Sequence, residues 1–140
     1  MTVPGPLLLD TCAVIWFADE QSMVQSAVDA LNRSFASGEP VVLSPITAWE
    51  IGIFCARHRM RFPMSPQAWF ERVQNTQGMM LAPMPPSVLV ASSFLPGDPP
   101  SDPADRIFAA TAREFGYRLM TRDRPLLQYA EQGYVQALQC

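Results

Sequence analysis

The sequence predicts an α/β fold in three layers, with helices on both faces of a mainly parallel sheet of about five strands. Short apolar segments recur along the 140 residues, and stretches with helical spacing separate them. Chains that alternate strands with helices build parallel sheets, because each helix returns the chain to the starting edge. Hydrophobic residues form 49% of the chain and charged residues 16%. This balance favours a packed core, and we expect one domain over residues 1–140.

The first half of the chain predicts two strands and the helices that follow them. Ser44 and Pro45 form a typical helix start, because the hydroxyl can cap the helix and proline is tolerated at its first position. This third helix should run to about Arg59. The other elements expected are a strand at Leu7 to Thr11, a short helix at Ala13 to Ala18, a helix capped by Ser22 that stops near Gly38, and a strand at Val41 to Ser44.

The second half predicts three further strands and a loop rich in proline. The loop is Leu95 to Pro103, which connects elements within the domain. The other elements expected are a helix begun by Ser65 and Pro66, a strand at Met79 to Ala82, a helix from Pro85 and Pro86 through Phe94, a helix from Asp102 and Pro103 through Phe115 closed by Gly116, a strand at Arg118 to Thr121, a helix at Pro125 to Glu131, and a strand at Tyr134 to Leu138.

Charge and hydropathy exclude several classes of protein. The net charge is −3, so any binding to nucleic acid must be local; all ten positive charges are arginines. No apolar run approaches the roughly 18 residues that span a membrane, and Met1 to Pro4 carry no basic leader, so we expect a cytoplasmic protein. Cys12 and Cys55 lie in apolar stretches and are expected to be reduced core residues.

Acidic residues fall where parallel strands end. Asp10 ends the first strand, Asp123 follows the fourth strand, and Asp105 lies in the first turn of the helix after the proline-rich loop. Glu50 joins them from the helix that follows the second strand. Because active sites of open parallel sheets lie beyond the carboxyl ends of the strands, these four carboxylates should meet at one edge.

Glu50 is the most informative of the four. It shares a helix face with Ile46 and Ile53, which should be buried, and an unpaired buried carboxylate is costly. The chain contains no lysine to pair with it, whereas a hard divalent cation shared among carboxylates would neutralise the group. The pattern therefore favours Mg²⁺, with Mn²⁺ as an alternative.

Each acidic residue also has a purely structural interpretation. Asp10 could cap the next helix, Asp105 could stabilise the start of a helix capped by Asp102, Asp123 could be a solvated turn charge, and Glu50 could pair with Arg57. The joint arrangement is a stronger signal than any one member.

Several other enzyme classes do not fit these residues. A haloacid-dehalogenase-like phosphatase needs a second aspartate where this chain has Cys12. A response-regulator receiver needs a lysine, and the GxxxxGK[ST] motif of P-loop proteins is absent. His58 is the only histidine, which excludes a ribonuclease mechanism with two histidines.

Four motifs resemble the PIN-domain nucleases, and within them the VapC-type toxins of bacterial toxin–antitoxin pairs. They occur in the family's order and spacing and extend nearly end to end: LLLDT at 7–11, SPITAWEIGI at 44–53, LPGD at 95–98 with DPADRIFAATA at 102–112, and LMTRD at 119–123. The chain departs from the pattern at Pro100 and Cys12, where close relatives often have histidine.

The resemblance implies a PIN fold, Mg²⁺-dependent cleavage of RNA phosphodiesters, a homodimer, and inhibition by a small antitoxin protein. It assigns the acidic set to Asp10, Glu50, Asp105 and Asp123, with Thr11 and Thr121 as supporting hydroxyls. The metal bound by Asp10 and Asp105 would activate a water for in-line attack.

Three arginines beside the acidic set are candidate contacts for RNA phosphates, namely Arg106, Arg122 and Arg124, although internal ion pairs or plain surface charges would explain each one equally well. The alternative function is a catalytically silent PIN-like module that binds RNA or a protein without cleavage.

Overall fold

The computed structural model describes residues 5–140 and contains one five-stranded parallel sheet. The strands are β1 (Leu7–Leu9), β2 (Val41–Leu43), β3 (Met79–Leu81), β4 (Arg118–Thr121) and β5 (Gln136–Gln139). Their order across the sheet is β3-β2-β1-β4-β5, and every neighbouring pair is parallel. The expected α/β class is confirmed, and the sheet is parallel throughout.

In the described part of the chain, seven helices connect the strands. They are α1 (Thr11–Ala18), α2 (Gln25–Ser37), α3 (Pro45–Ala56), α4 (Pro66–Gln74), α5 (Pro86–Ala91), α6 (Pro103–Phe115) and α7 (Arg124–Glu131). Within residues 5–140, no helix is long and apolar enough to cross a membrane. The prediction that Met1 to Pro4 form no leader lies outside the described residues.

Two hydrophobic cores lie on opposite faces of the sheet, which produces the three layers. Side chains alternate across a strand, so Leu7 and Leu9 of β1 point to one core and Leu8 to the other. The first core packs helices α1 to α4, including Trp69 and Phe70 of α4. The second packs α6 and α7, with Phe108 and other buried side chains. The central strands are apolar on both sides because both faces are covered.

Local signals in the sequence begin and end most of these helices as expected. The Ser44 hydroxyl caps α3 by accepting from the Ile46 N–H, and Ser65 caps α4 in the same way. Gly116 closes α6 with φ of 71°, and Gly38 closes α2 with φ of 77°. Glycine suits both positions because other residues pay a steric cost in the left-handed region.

Several predicted boundaries were wrong by a few residues. Ser22 does not cap the second helix, which begins at Gln25 after Val24 without a side-chain cap. The corrected bounds place the start of α1 at Thr11 and of α7 at Arg124, the ends of β1 and β2 at Leu9 and Leu43, the ends of α3, β3 and α5 at Ala56, Leu81 and Ala91, and β5 at Gln136–Gln139. Ends of elements depend on tertiary packing, which sequence periodicity does not contain.

Candidate active site

The carboxyl ends of β1 and β4 lie side by side, and each is followed by an aspartate. Leu9 of β1 pairs with Met120 of β4, so Asp10 and Thr121 follow in register. The strand order reverses between β1 and β4, because the chain moves outward from β1 through β2 and β3 and then returns to β4 on the other side. Ligands of open α/β sheets bind at such a reversal point.

Asp10 is fixed by hydrogen bonds to both of its carboxylate oxygens. Its Oδ1 accepts from the Ala13 N–H at 2.8 Å, which caps α1. Its Oδ2 accepts from the Thr121 hydroxyl at 2.5 Å. Burial raises the pKa of Asp10, since only 6% of the residue is exposed, while the two hydrogen bonds act in the opposite direction.

Thr121 also holds the segment that carries Asp123. Its hydroxyl oxygen accepts from the Asp123 N–H at 3.0 Å, while its proton goes to Asp10. The Asp123 Oδ2 accepts from the Leu126 N–H at 3.1 Å and caps α7. A single hydroxyl between β4 and α7 therefore links two of the predicted site residues.

Glu50 receives its hydrogen bond from a second threonine. The Thr11 hydroxyl donates to the Glu50 Oε1 at 2.6 Å, and the Thr47 hydroxyl lies 3.2 Å from the Thr11 oxygen. Because a hydroxyl has one proton to donate, Thr47 donates to Thr11. Burial first, and then the negative charges of Asp102 and Asp10, raise the pKa of Glu50 against this bond.

The predicted burial of α3 was wrong in detail. Glu50, Ile46 and Ile53 are only half-buried, and the buried residues of the helix are Thr47 and Ile51. Glu50 therefore faces the boundary between the core and the solvent, where it can reach both Thr11 and the open edge of the sheet. Sequence analysis also missed Thr47, which a hydroxyl on the buried face of a helix could have indicated.

Asp105 lies among several other carboxylates. Its pKa is raised from 3.8 to about 8, first by burial and then by the charges of Asp123, Asp102, Asp10 and Glu50. Asp102 is a further carboxylate that was predicted only as a helix cap. It does cap α6, since its Oδ2 accepts from the Asp105 N–H at 3.0 Å, but its charge also acts on the site.

Cys12 lies near enough to all four predicted carboxylates for their charges to act on its thiol. It was expected in the core but is exposed. The pKa of its thiol is raised to about 11, first by partial desolvation and then by Asp10, Glu50, Asp105 and Asp123. Carboxylates from four separate segments of the chain therefore contribute negative charge near the same sulfur atom.

This donor set fits a hard divalent cation. Neighbouring negative charges raise the pKa values of Asp10, Glu50 and Asp105, so a positive charge among them would relieve the repulsion. Among the described residues, no three acidic, cysteine or histidine side chains converge closely enough to enclose an ion by themselves. Mg²⁺ does not require such a cage, because it usually takes one or two carboxylates and completes its shell with water and substrate oxygens.

The three candidate arginines lie in different surroundings. Arg124 is exposed in the first turn of α7. Arg106 is half-buried and donates to the Ser92 carbonyl at 3.4 Å. Arg122 lies over the Trp16 ring, with its guanidinium carbon 3.6 Å from the ring centroid. Only Arg124 presents a guanidinium with no protein contact described for it.

The fold and the acidic edge define an α/β protein whose candidate site consists of carboxylates at the reversal point of a parallel sheet. Residues 7–132 match the PIN domain, so the chain belongs to the PIN-domain family. The resemblance expected from the four motifs is confirmed at this level.

Comparisons with individual proteins point the same way. The chain is 28% identical over 120 residues to Ribonuclease VapC22 of Mycobacterium tuberculosis, covering 86% of this chain and 88% of that relative. Its fold resembles a crystal structure of VapBC2 from Rickettsia felis bound to a DNA fragment from the promoter, with a TM-score of 0.66, 9% identity and coverage of 95% and 97%. It also resembles FitAcB from Neisseria gonorrhoeae, with a TM-score of 0.56, 21% identity and coverage of 94% and 96%.

Proposed function

We propose that this chain is a Mg²⁺-dependent ribonuclease, organised as a single PIN domain over residues 1–140, and the toxin of a type II toxin–antitoxin pair. The observation that carries the proposal is that Asp10, Glu50, Asp105 and Asp123 come from four separate segments and all lie near enough to Cys12 for their charges to act on its thiol. The identity to Ribonuclease VapC22 supports RNA as the substrate.

In this proposal, Asp10 and Asp105 are the direct metal ligands, and Glu50 and Asp123 complete the site directly or through water. Mg²⁺, or Mn²⁺ in its place, would screen the phosphate charge and lower the pKa of a bound water. Thr121 holds the Asp10 carboxylate and Thr11 holds Glu50, so both oxygens are oriented before a ligand arrives. Arg124 is the exposed candidate for contact with RNA phosphates.

The proposal is tested by incubating the purified protein with structured RNAs and Mg²⁺. Cleavage should stop with a chelator and fall by at least about 100-fold in Asp10→Asn, because the barrier rises when charge stabilisation is lost. Asparagine also caps helices, so the fold should survive this change. Asp29→Asn, on the exposed face of α2, is the control and should retain cleavage.

Two outcomes would contradict this function. Cleavage that persists in Asp10→Asn or in the chelator would exclude the metal-dependent mechanism at this site. Binding of RNA with no cleavage across many sequences would instead indicate the silent binding module.

We further propose a small antitoxin partner and a homodimer. Solved relatives of the same fold are VapBC2 and FitAcB, and this chain exposes large apolar side chains at Leu89, Val90 and Phe94. Exposed apolar patches typically mark protein interfaces. If light scattering gives the mass of a monomer, the homodimer is contradicted. If the protein purifies from its native host without a small partner, the antitoxin proposal is contradicted.

A further inference from the structure

Arg122 occupies the position between two residues of the candidate site. Thr121, before it, donates to Asp10, and Asp123, after it, caps α7. The side chain of Arg122 lies over the ring of Trp16 in α1, with 3.6 Å between its guanidinium carbon and the ring centroid. Arginine stacks on tryptophan in this way because the ring face attracts a cation and the planar guanidinium fits over it.

The same guanidinium is anchored by backbone carbonyls. Its Nη2 donates to the Cys140 carbonyl at 3.1 Å and to the Ser22 carbonyl at 3.4 Å. The Cys140 carbonyl also accepts from the Val24 N–H at 3.3 Å, and the Cys140 N–H donates to the Thr121 carbonyl at 3.1 Å. The side chain therefore joins α1, the connection from α1 to α2, and the end of β5.

These contacts connect the two segments that carry the aspartates at the centre of the sheet. Trp16 belongs to the helix that Asp10 caps, and Arg122 belongs to the turn that leads into Asp123. The guanidinium contacts the Trp16 ring and donates through Nη2 to two carbonyl groups, so these contacts tie it to α1, to the connection that follows α1, and to the residue after β5. The role of Arg122 as a phosphate contact stays a prediction, and these contacts indicate a second role within the fold.

We propose that Arg122 is a positioning residue, whose stacking on Trp16 and bonds to Cys140 and Ser22 hold the Asp123 segment at a fixed distance from Asp10. The inference rests on the proposed function, because the carboxylates it positions are those proposed to hold the metal ion. The positive charge of Arg122 also acts on Asp10, where it partly offsets the rise in pKa caused by burial.

The two possible roles of Arg122, as a nearby positive charge and as a positioning residue, predict opposite effects of its replacement on metal binding. Metal affinity therefore distinguishes them. Removing a positive charge beside an acidic site should strengthen cation binding. Loss of positioning should weaken it, and substitutions of residues that support a metal site typically cost about 10-fold to 100-fold in affinity. The probe is Mn²⁺ alone, titrated by calorimetry into the metal-free protein.

We expect Arg122→Gln to bind Mn²⁺ roughly 10-fold more weakly than the unchanged protein. Arg122→Lys should also bind Mn²⁺ more weakly, because lysine keeps the positive charge but lacks the planar guanidinium that stacks on Trp16. Arg124→Gln is the matched control, since it removes a positive charge two residues away without any contact to Trp16. Its affinity for Mn²⁺ should be unchanged or slightly higher.

A second readout uses RNA cleavage and its dependence on salt. If Arg122 is a positioning residue, Arg122→Gln should have a lower kcat, while KM and the salt dependence of RNA binding stay unchanged. Loss of a phosphate contact would instead raise KM and make the salt dependence shallower by about one contact. That second pattern, together with unchanged Mn²⁺ affinity, would overturn the proposal.

The test also separates failure of the inference from failure of the proposed function. If the unchanged protein neither binds Mn²⁺ nor cleaves RNA, the proposed function fails, and a double-mutant cycle of Arg122→Gln and Trp16→Phe then decides on the contact itself. Coupled losses in the free energy of unfolding would support the contact, and additive losses would overturn it.

Discussion

The two halves of the acidic edge are built differently. On the strand side, Asp10 has hydrogen bonds to both oxygens, and Thr121 connects it to the Asp123 segment. On the helix side, Glu50 has one described hydrogen bond, from Thr11, and Asp105 combines a pKa of about 8 with like-charged neighbours. The strand side is held by the protein itself, whereas the helix side needs a proton or a cation to reduce its repulsion. This difference implies that binding of a cation changes the electrostatic energy mainly on the helix side.

Removing the hydroxyl of Thr121 should have the largest effect on stability. In Thr121→Val the buried Asp10 loses one partner and the Asp123 N–H loses its acceptor, which should cost about 2–3 kcal/mol in the free energy of unfolding. The measurement is urea unfolding of the metal-free protein. Thr111→Val is the control, because that buried hydroxyl donates only to a carbonyl in its own helix, that of Ile107. Equal losses in the two variants would remove the distinction between the halves.

Glu50→Gln should keep the fold and weaken the metal site. The substitution removes one of the charges that attract the cation, so we expect roughly 10-fold weaker Mg²⁺ binding by calorimetry. The stability of the metal-free protein should not fall, because like-charge repulsion is relieved. Glu71→Gln, exposed on α4, is the control for loss of one negative charge. Equal Mg²⁺ affinity in Glu50→Gln and the unchanged protein would place Glu50 outside the site.

Asp105→Asn should change how stability depends on pH. Because its pKa rises from 3.8 to about 8 on folding, the folded protein retains a proton that the unfolded chain has already released between these values. Stability contributed by the protonated group is therefore complete below pH 4, declines as pH rises, and is lost above pH 8. Asparagine mimics the neutral form, so the decline should shrink and stability at pH 9 should increase by on the order of 1 kcal/mol.

The measurement for Asp105 is thermal unfolding of the metal-free protein from pH 5 to pH 9. Mg²⁺ should bind the unchanged protein with release of protons and with greater affinity toward pH 8, since the metal requires the carboxylate form. If Asp105→Asn and the unchanged protein have identical pH profiles, Asp105 is not the group that makes stability decline as pH rises.

The strand side could be predicted from sequence more fully than the helix side. An apolar run that ends in Asp-Thr, and a second one that ends in Thr-Arg-Asp, place Asp10 and Asp123 because strand ends meet at one edge of a parallel sheet. The helix side depends on how α3 and α6 rotate against the sheet. The orientation of each helix against the sheet decides whether Glu50 is buried or half-buried, and whether Asp102 acts only as a cap.

Other features depend on contacts that no local pattern contains. The Thr47 to Thr11 bond joins residues 36 positions apart, and the stacking of Arg122 on Trp16 joins the turn between β4 and α7 to α1. Arginine between two site residues looks like a phosphate contact in the sequence. The contact between Arg122 and Trp16 becomes visible only in the folded structure, where the ring of Trp16 in α1 lies against the guanidinium.

The long separation between β1 and β4 along the chain also affects when the site can form during protein synthesis. Asp10 and Thr121 are 111 positions apart, so a ribosome that adds about 5 to 20 residues per second needs roughly 5 to 20 seconds to progress from one to the other. Throughout that interval the nascent chain has the first aspartate without the hydroxyl that orients it. The candidate site can therefore be completed only near the end of translation, and a truncated product that stops before β4 would lack both Thr121 and Asp123.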